Sequence, residues 1–254
     1  MRKQIAAANW KMNLTLAEGE KLITEILQGV SGLKPGTEAL FAVPFPYLVQ
    51  ANNLVKGQTG MFISAQDIAA TNNGAFTGEV SGAMLKSIGI KYAIIGHSER
   101  REYFHESNEL LTEKVIRAFE HGIHPIFCCG EPLSIRENGS QNTYVNQQLR
   151  DGIFHLDSEK MKGFIIAHEP IWAIGTGKTA TAEQAEDMHA HIRSLIEKQY
   201  GTDIASSVSI LYGGSVKATN AKEIFGKPNV DGGLVGGASL NASEFCEIIK
   251  SLKN

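Results

Sequence analysis

With 254 residues, the chain can bury about three-quarters of the surface it exposes when unfolded. Its 24 basic and 27 acidic side chains leave a formal net charge of −3, which gives no electrostatic footing for nucleic acid or a membrane surface, so neither partner is expected. The three cysteines, Cys128, Cys129 and Cys246, form no ordinary pairing motif. No apolar run matches a signal peptide or a membrane span, so the expected setting is reducing and cytoplasmic.

Short apolar runs suited to strands buried on both faces recur along the chain. The first is Ile5–Ala8, followed by a helix that Thr15-x-x-Glu18 opens as a capping box and Leu22, Ile23, Ile26 and Leu27 make amphipathic. Ala39–Val43, Met61–Ala65 and Tyr92–Ile95 come next. Ser107 then caps a helix carrying Leu111, Val115 and Phe119, which Gly122 stops. After Ile126–Cys129 and Phe164–Ala167, Thr181-x-x-Gln184 starts a helix that ends at Gly201. Val208–Leu211, Val230–Val235 and a last helix through Phe245, Ile248, Ile249 and Leu252 complete the pattern. Gly232 and Gly233 weaken the eighth strand by propensity. Eight strand–helix units with no remainder and no linker predict an α/β fold, a single-domain (β/α)8 barrel over residues 1–254, with an open doubly wound sheet as the alternative.

In such a barrel the strand ends gather on one face, where active sites lie. The residues just past the runs are therefore the candidates for chemistry. Gly213-Gly214-Ser215 and Gly236-Gly237 follow the seventh and eighth strands, where side-chain-free backbone can bring N–H groups to a phosphate. Either pair alone suits a tight turn; two at adjacent strand ends favour phosphate. Glu169 ends the sixth strand, directly before Pro170 and the apolar stretch Ile171–Ile174. That stretch reads as the exposed tip of a lid, and a carboxylate desolvated beneath it would gain the basicity that proton abstraction needs. A structural ion pair is the competing reading. Gly175-Thr176-Gly177-Lys178-Thr179 is no P-loop, because Trp172 stands where the first glycine is required. His97 sits between Gly96 and a helix start whose dipole disfavours imidazolium; it reads equally as structural or as a neutral donor to a carbonyl. Lys11 ends the first strand and suits a developing oxyanion or a phosphate, although most lysines are simply solvated. Asn9 and Glu99 are placed to orient it. No metal is expected: His189 and His191 point about 200° apart on a helix.

Taken together, Asn9-Trp10-Lys11-Met12-Asn13, Gly78-Glu79-Val80-Ser81, Ile95 to Arg101, Ala167 to Lys178, Tyr212 to Ser215 and Leu234 to Leu240 resemble the motifs of the triosephosphate isomerases. The resemblance runs from the first strand to the last, and its His97 and Glu169 segments are the specific ones. It implies a TIM barrel that interconverts dihydroxyacetone phosphate and D-glyceraldehyde 3-phosphate through an enediolate, without a cofactor, in glycolysis and gluconeogenesis. It also implies roles: Glu169 as base, His97 polarising the carbonyl, and Lys11 supplying positive charge with Glu99 behind it. Asn9 would line the site, and Gly175, Ser215, Gly236 and Gly237 would hold the phosphate. A homodimer is implied through the loop Gln66–Ser81, with Thr77 approaching the partner's site. Ala8, Asp67, Pro132 and Gly233 depart from the usual pattern, and Gly233 raises the question of a loosened last strand. Another phosphate-binding barrel, such as a Schiff-base aldolase, and a non-catalytic protein that keeps the fold remain as alternatives on the sequence alone.

Overall fold

A computed structural model describes residues 2–30, 32–174 and 179–253. Eight parallel strands close into a barrel in strict chain order: β1 (Gln4–Asn9), β2 (Thr37–Ala42), β3 (Met61–Ala65), β4 (Tyr92–Ile95), β5 (His124–Cys129), β6 (Ile165–His168), β7 (Ser209–Tyr212) and β8 (Gly232–Val235). Two of the predicted runs coincide with strands and the other six differ by one or two residues at an end, because ladder pairing rather than apolar character sets the limits. Twelve α-helices lie among the described residues: α1 (Leu16–Gly29), α2 (Leu48–Leu54), α3 (Gly82–Ser87), α4 (Ser98–Tyr103), α5 (Asn108–Glu120), α6 (Leu133–Glu137), α7 (Gln141–Gly152), α8 (Ser158–Met161), α9 (Ala182–Tyr200), α10 (Thr202–Ala205), α11 (Ala218–Phe225) and α12 (Ala242–Lys250). None is long and apolar enough to cross a membrane.

The core has two layers because side chains alternate across each strand. Ile5, Leu40, Ile94, Ile126, Ile165 and Leu211 fill the barrel, while Phe41, Phe127, Ile166 and Ile210 face outward onto Ile26, Leu149, Ile192 and Phe245 of the helices. The expected caps form. Glu18 takes the backbone N–H of Thr15 at 2.7 Å, Ser107 caps α5, and Thr181 with Gln184 closes the box at the start of α9. Gly201 ends α9 at φ 88°.

The last strand is not loosened where the glycines stand. Gly232 has φ 114°, and a Cβ there would lie 2.0 Å from the Ile5 carbonyl oxygen, so glycine is what lets β8 close against β1. Gly233 pairs with Ala6 on one side and Tyr212 on the other, with the Phe225 ring 3.0 Å from where its Cβ would be. At the opposite end of the barrel from the strand tips, buried Asp231 is held by Arg193 at 2.8 Å and Arg2 at 3.1 Å.

Candidate active site

Lys11 leaves β1 with φ 54°, a left-handed conformation that is uncommon for a residue with a side chain. Two contacts hold it there. Its N–H donates to Asn9 Oδ1 at 3.0 Å, and its carbonyl accepts from Gln66 Nε2 at 2.8 Å. The ammonium is thereby turned inward, 2.5 Å from Glu99 Oε1.

His97 caps α4. Its Nδ1 accepts the backbone N–H of Glu99 at 3.2 Å, which requires an unprotonated Nδ1 and assigns the remaining ring proton to Nε2. Gly96, at φ 77°, makes the turn out of β4. Arg101 spans back from α4 to the carbonyls of Gly96 at 2.8 Å and Cys128 at 2.9 Å, tying the ends of β4 and β5 together. Burial lowers the proton affinity of His97, but the charges of Glu169 and Glu99 outweigh it and leave the pKa raised.

Glu169 is almost wholly buried. Oε2 accepts the Ser98 N–H at 2.9 Å, at the positive end of α4. Oε1 lies 2.9 Å from His97 Nε2 yet receives no well-aligned hydrogen bond among the described residues. Burial does push the group up, but His97, the Ser98 N–H and Lys11 together hold it below the ordinary glutamate value. The observed position therefore favours the charged form, with Oε1 turned toward His97 Nε2.

The glycines around Glu169 do more than turn the chain. A Cβ at Gly213 would sit 2.8 Å from Glu169 Cγ, and one at Gly130 would sit 1.7 Å from the Glu169 carbonyl oxygen. On the far wall, Cβ atoms at Gly236 and Gly237 would meet no backbone within 4 Å. The N–H groups of Gly214, Ser215 and Gly236 make no loop hydrogen bond among the described residues, which leaves them for an anion.

These parts share one cavity of about 420 Å³. Of the residues singled out in the sequence, Asn9, Lys11, His97, Glu169, Ser215, Gly236 and Gly237 all line it. Glu99 stands behind Lys11, and Gly175 lies outside the described residues. The segment read as an exposed lid tip differs from expectation. Ile171–Ala173 forms a short 3-10 turn with Ala173 buried, and Trp172 Nε1 donates to Glu131 Oε1 at 2.9 Å. Sequence reasoning does not single out Glu131; a carboxylate just past the tip of a parallel strand is the available signal. Among the described residues no group of three or more His, Cys, Asp or Glu side chains could hold a metal. Cys128 and Cys129 are free and buried, and burial pushes Cys129 up to about 12.

A family profile described as triosephosphate isomerase matches residues 4–252. A protein named triosephosphate isomerase from Phocaeicola vulgatus is 49% identical over 254 residues, covering 100% of both chains. One from Cytophaga hutchinsonii is 47% identical over 252 residues, covering 99% of this chain and 100% of its own. One from Porphyromonas gingivalis is 48% identical over 251 residues, with the same coverage.

Proposed function

The chain belongs to the triosephosphate isomerase family, and from that membership we propose how its residues divide the work within one barrel domain spanning residues 1–254. It is an isomerase of glycolysis that interconverts dihydroxyacetone phosphate and D-glyceraldehyde 3-phosphate through an enediolate. Because the reaction is reversible, we extend the role to gluconeogenesis.

Glu169 takes a proton from the carbon beside the carbonyl and returns it to the neighbouring carbon. To do so it gives up the Ser98 N–H and its place beside His97 Nε2, both of which lower its basicity. Exclusion of water then works in the opposite direction and raises it. His97, with Nδ1 engaged at the helix start, donates Nε2–H to the carbonyl oxygen as a neutral imidazole; this base–imidazole pairing is already known for the triosephosphate isomerases. Once Glu169 carries the substrate's proton, the charge that most raises the imidazole is gone. Lys11 faces the developing enediolate and the phosphate, with Asn9 setting its backbone. Ser215, Gly236 and Gly237, together with Gly175, hold the phosphate through N–H groups. Proton transfer between adjacent carbons needs no redox group, so no cofactor enters.

The observation that carries this reading is the meeting of an acid from β6, an imidazole from β4 and an ammonium from β1 in one cavity edged by glycine. A coupled assay on purified protein tests it. Glu169→Gln should abolish turnover, and Lys11→Met should cut kcat/KM by roughly a hundredfold or more. Turnover that survives Glu169→Gln would remove the base.

We further propose a homodimer. An apolar groove of about 690 Å³ beside the active site is lined by Met12, Phe45, Gln66, Tyr103 and Phe104, with Met12 95% exposed. The loop Gln66–Ser81 is closed at its base by Ala69 N–H to the Val80 carbonyl at 2.9 Å and presents Phe76 and Thr77 outward. A second copy's loop would bring its exposed Phe76 to that groove. Sedimentation at micromolar concentration should give a dimer that Phe76→Asp dissociates; a fully active monomer would exclude it. Three free buried cysteines support a cytoplasmic location.

A further inference from the structure

Next to the residues assigned to catalysis lies a second buried polar cluster that the reaction leaves unused. Glu131, at the end of β5, has no exposed surface. Its Oε2 faces His168 Nε2 at 2.9 Å, and its Oε1 takes the indole N–H of Trp172 at 2.9 Å. Its own carbonyl accepts the Ile171 N–H at 3.1 Å. The Arg136 guanidinium lies 5.6 Å from the centre of the Trp172 ring. One carboxylate thus joins the strand that carries Glu169 to the turn that follows it. To donate to that carboxylate, His168 must carry its proton on Nε2. Its Nδ1 is then a bare acceptor, buried and without a partner among the described residues. Across the ring stand His189 of α9, edge-on at 5.7 Å, and beyond it Tyr212 of β7.

A buried acceptor left unpaired costs stability, so packing alone does not account for an imidazole at this point. Burial would likewise drive Glu131 toward its neutral form, yet its carboxyl is held below the ordinary value by His168, with the Trp172 hydrogen bond assisting. With the imidazole removed, Oε2 would be a buried carboxylate oxygen with no donor. The group would then turn toward Trp172 and Arg136 or take up a proton, and the turn Ile171–Ala173 would move with it.

We propose that His168 is a positioning residue: through Glu131 and Trp172 it sets the turn Ile171–Ala173 against the active site, and so governs how well the enediolate is protected. This rests on the reading of Glu169 as base and of Pro170–Ile174 as the start of a covering segment. In an enediolate that is poorly covered, the oxyanion's electron pair forms a C=O, the C=C shifts to the phosphate-bearing carbon, and that carbon's C–O bond breaks; inorganic phosphate leaves and the enol of a dicarbonyl compound remains, instead of a proton being regained.

The experiment measures inorganic phosphate released per isomerisation event, beside kcat and KM, with dihydroxyacetone phosphate as substrate. His168→Phe keeps the ring volume and removes the donor; released phosphate per event should rise about tenfold, the effect expected of one unpaired buried acceptor. His168→Gln restores a donor near the Nε2 position and should return the ratio to within about threefold of wild type. Trp172→Phe, which cuts the same carboxylate from the other side, should give a similar rise, and the double variant with His168→Phe should add nothing to it. An unchanged ratio in His168→Phe, a His168→Gln as defective as His168→Phe, or additive effects in the double variant would overturn the proposal. Wild-type turnover in the same assay reports on the isomerase reading itself, separately from the ratio.

Discussion

Replacing Gly130 by alanine should damage catalysis far more than its size suggests. The new Cβ would lie 1.7 Å from the Glu169 carbonyl oxygen, 2.6 Å from its carbonyl carbon and 3.1 Å from its Cα. All three are backbone atoms, so no rotamer change relieves the contact. The Glu169 N–H is bonded to the Cys129 carbonyl at 2.7 Å, so β5 and β6 are locked together one residue earlier. Side-chain Cβ atoms essentially never approach within 3.0 Å, and reaching that limit moves the Glu169 peptide by more than about 1.3 Å. Displacing a reacting group by about 1 Å can cost a hundredfold in rate, whereas the overpacking itself should cost about 1–3 kcal/mol of stability. Steady-state isomerisation and a denaturation curve separate the two effects. Gly152→Ala is the control. Its Cβ would meet the Phe127 ring 2.4 Å away on the outer face of the barrel, so it should lose comparable stability while keeping its turnover. A Gly130→Ala enzyme with kcat within threefold of wild type would refute the reasoning.

Three other substitutions follow from the same geometry. Glu169→Asp draws the carboxylate back by about one methylene and should slow turnover on the order of a hundredfold with the fold intact, as circular dichroism and kinetics would show; near-normal turnover would argue against direct proton transfer. Glu99→Gln removes the charge 2.5 Å from Lys11 and should lower kcat/KM by roughly tenfold, whereas an unchanged value would mean that the ammonium is oriented by Asn9 and Gln66 alone. His189→Leu bears on acid stability. Burial holds the His189 pKa well below the usual imidazole value, with His168 adding to the effect, so the unfolded chain binds a proton that the folded one does not as pH falls below about 6.5. Wild-type stability should then decline by about 1.4 kcal/mol per pH unit from this residue, and urea curves for His189→Leu should lack that part of the slope. Parallel pH profiles would mean that His189 does not remain neutral in the folded protein.

The strands were readable because each is an apolar run of four to six residues ended by glycine or a polar group, and that pattern survives without knowledge of its neighbours. The long helices were readable for a similar local reason: capping pairs such as Thr15–Glu18 and Thr181–Gln184 act within a single turn. Short helices such as α3, α6 and α8 left no such mark, since fewer than two turns cannot show a period. Glu131 stayed in the background for a different reason. Its function depends on donors 37 and 41 residues away along the chain, at His168 and Trp172, and nothing local to Gly130-Glu131 announces them.

The amino-acid order therefore determined the alternation, favoured the barrel over an open sheet, and marked the strand-end residues that are candidates for chemistry. Only the tertiary structure decided their electrostatic state. Burial alone would make Glu169 more basic, but the Ser98 N–H, His97 and Lys11 reach it from other strands and reverse the sign. A pKa is set by charges within a few ångströms, and in a closed barrel those charges belong to residues scattered along the whole chain.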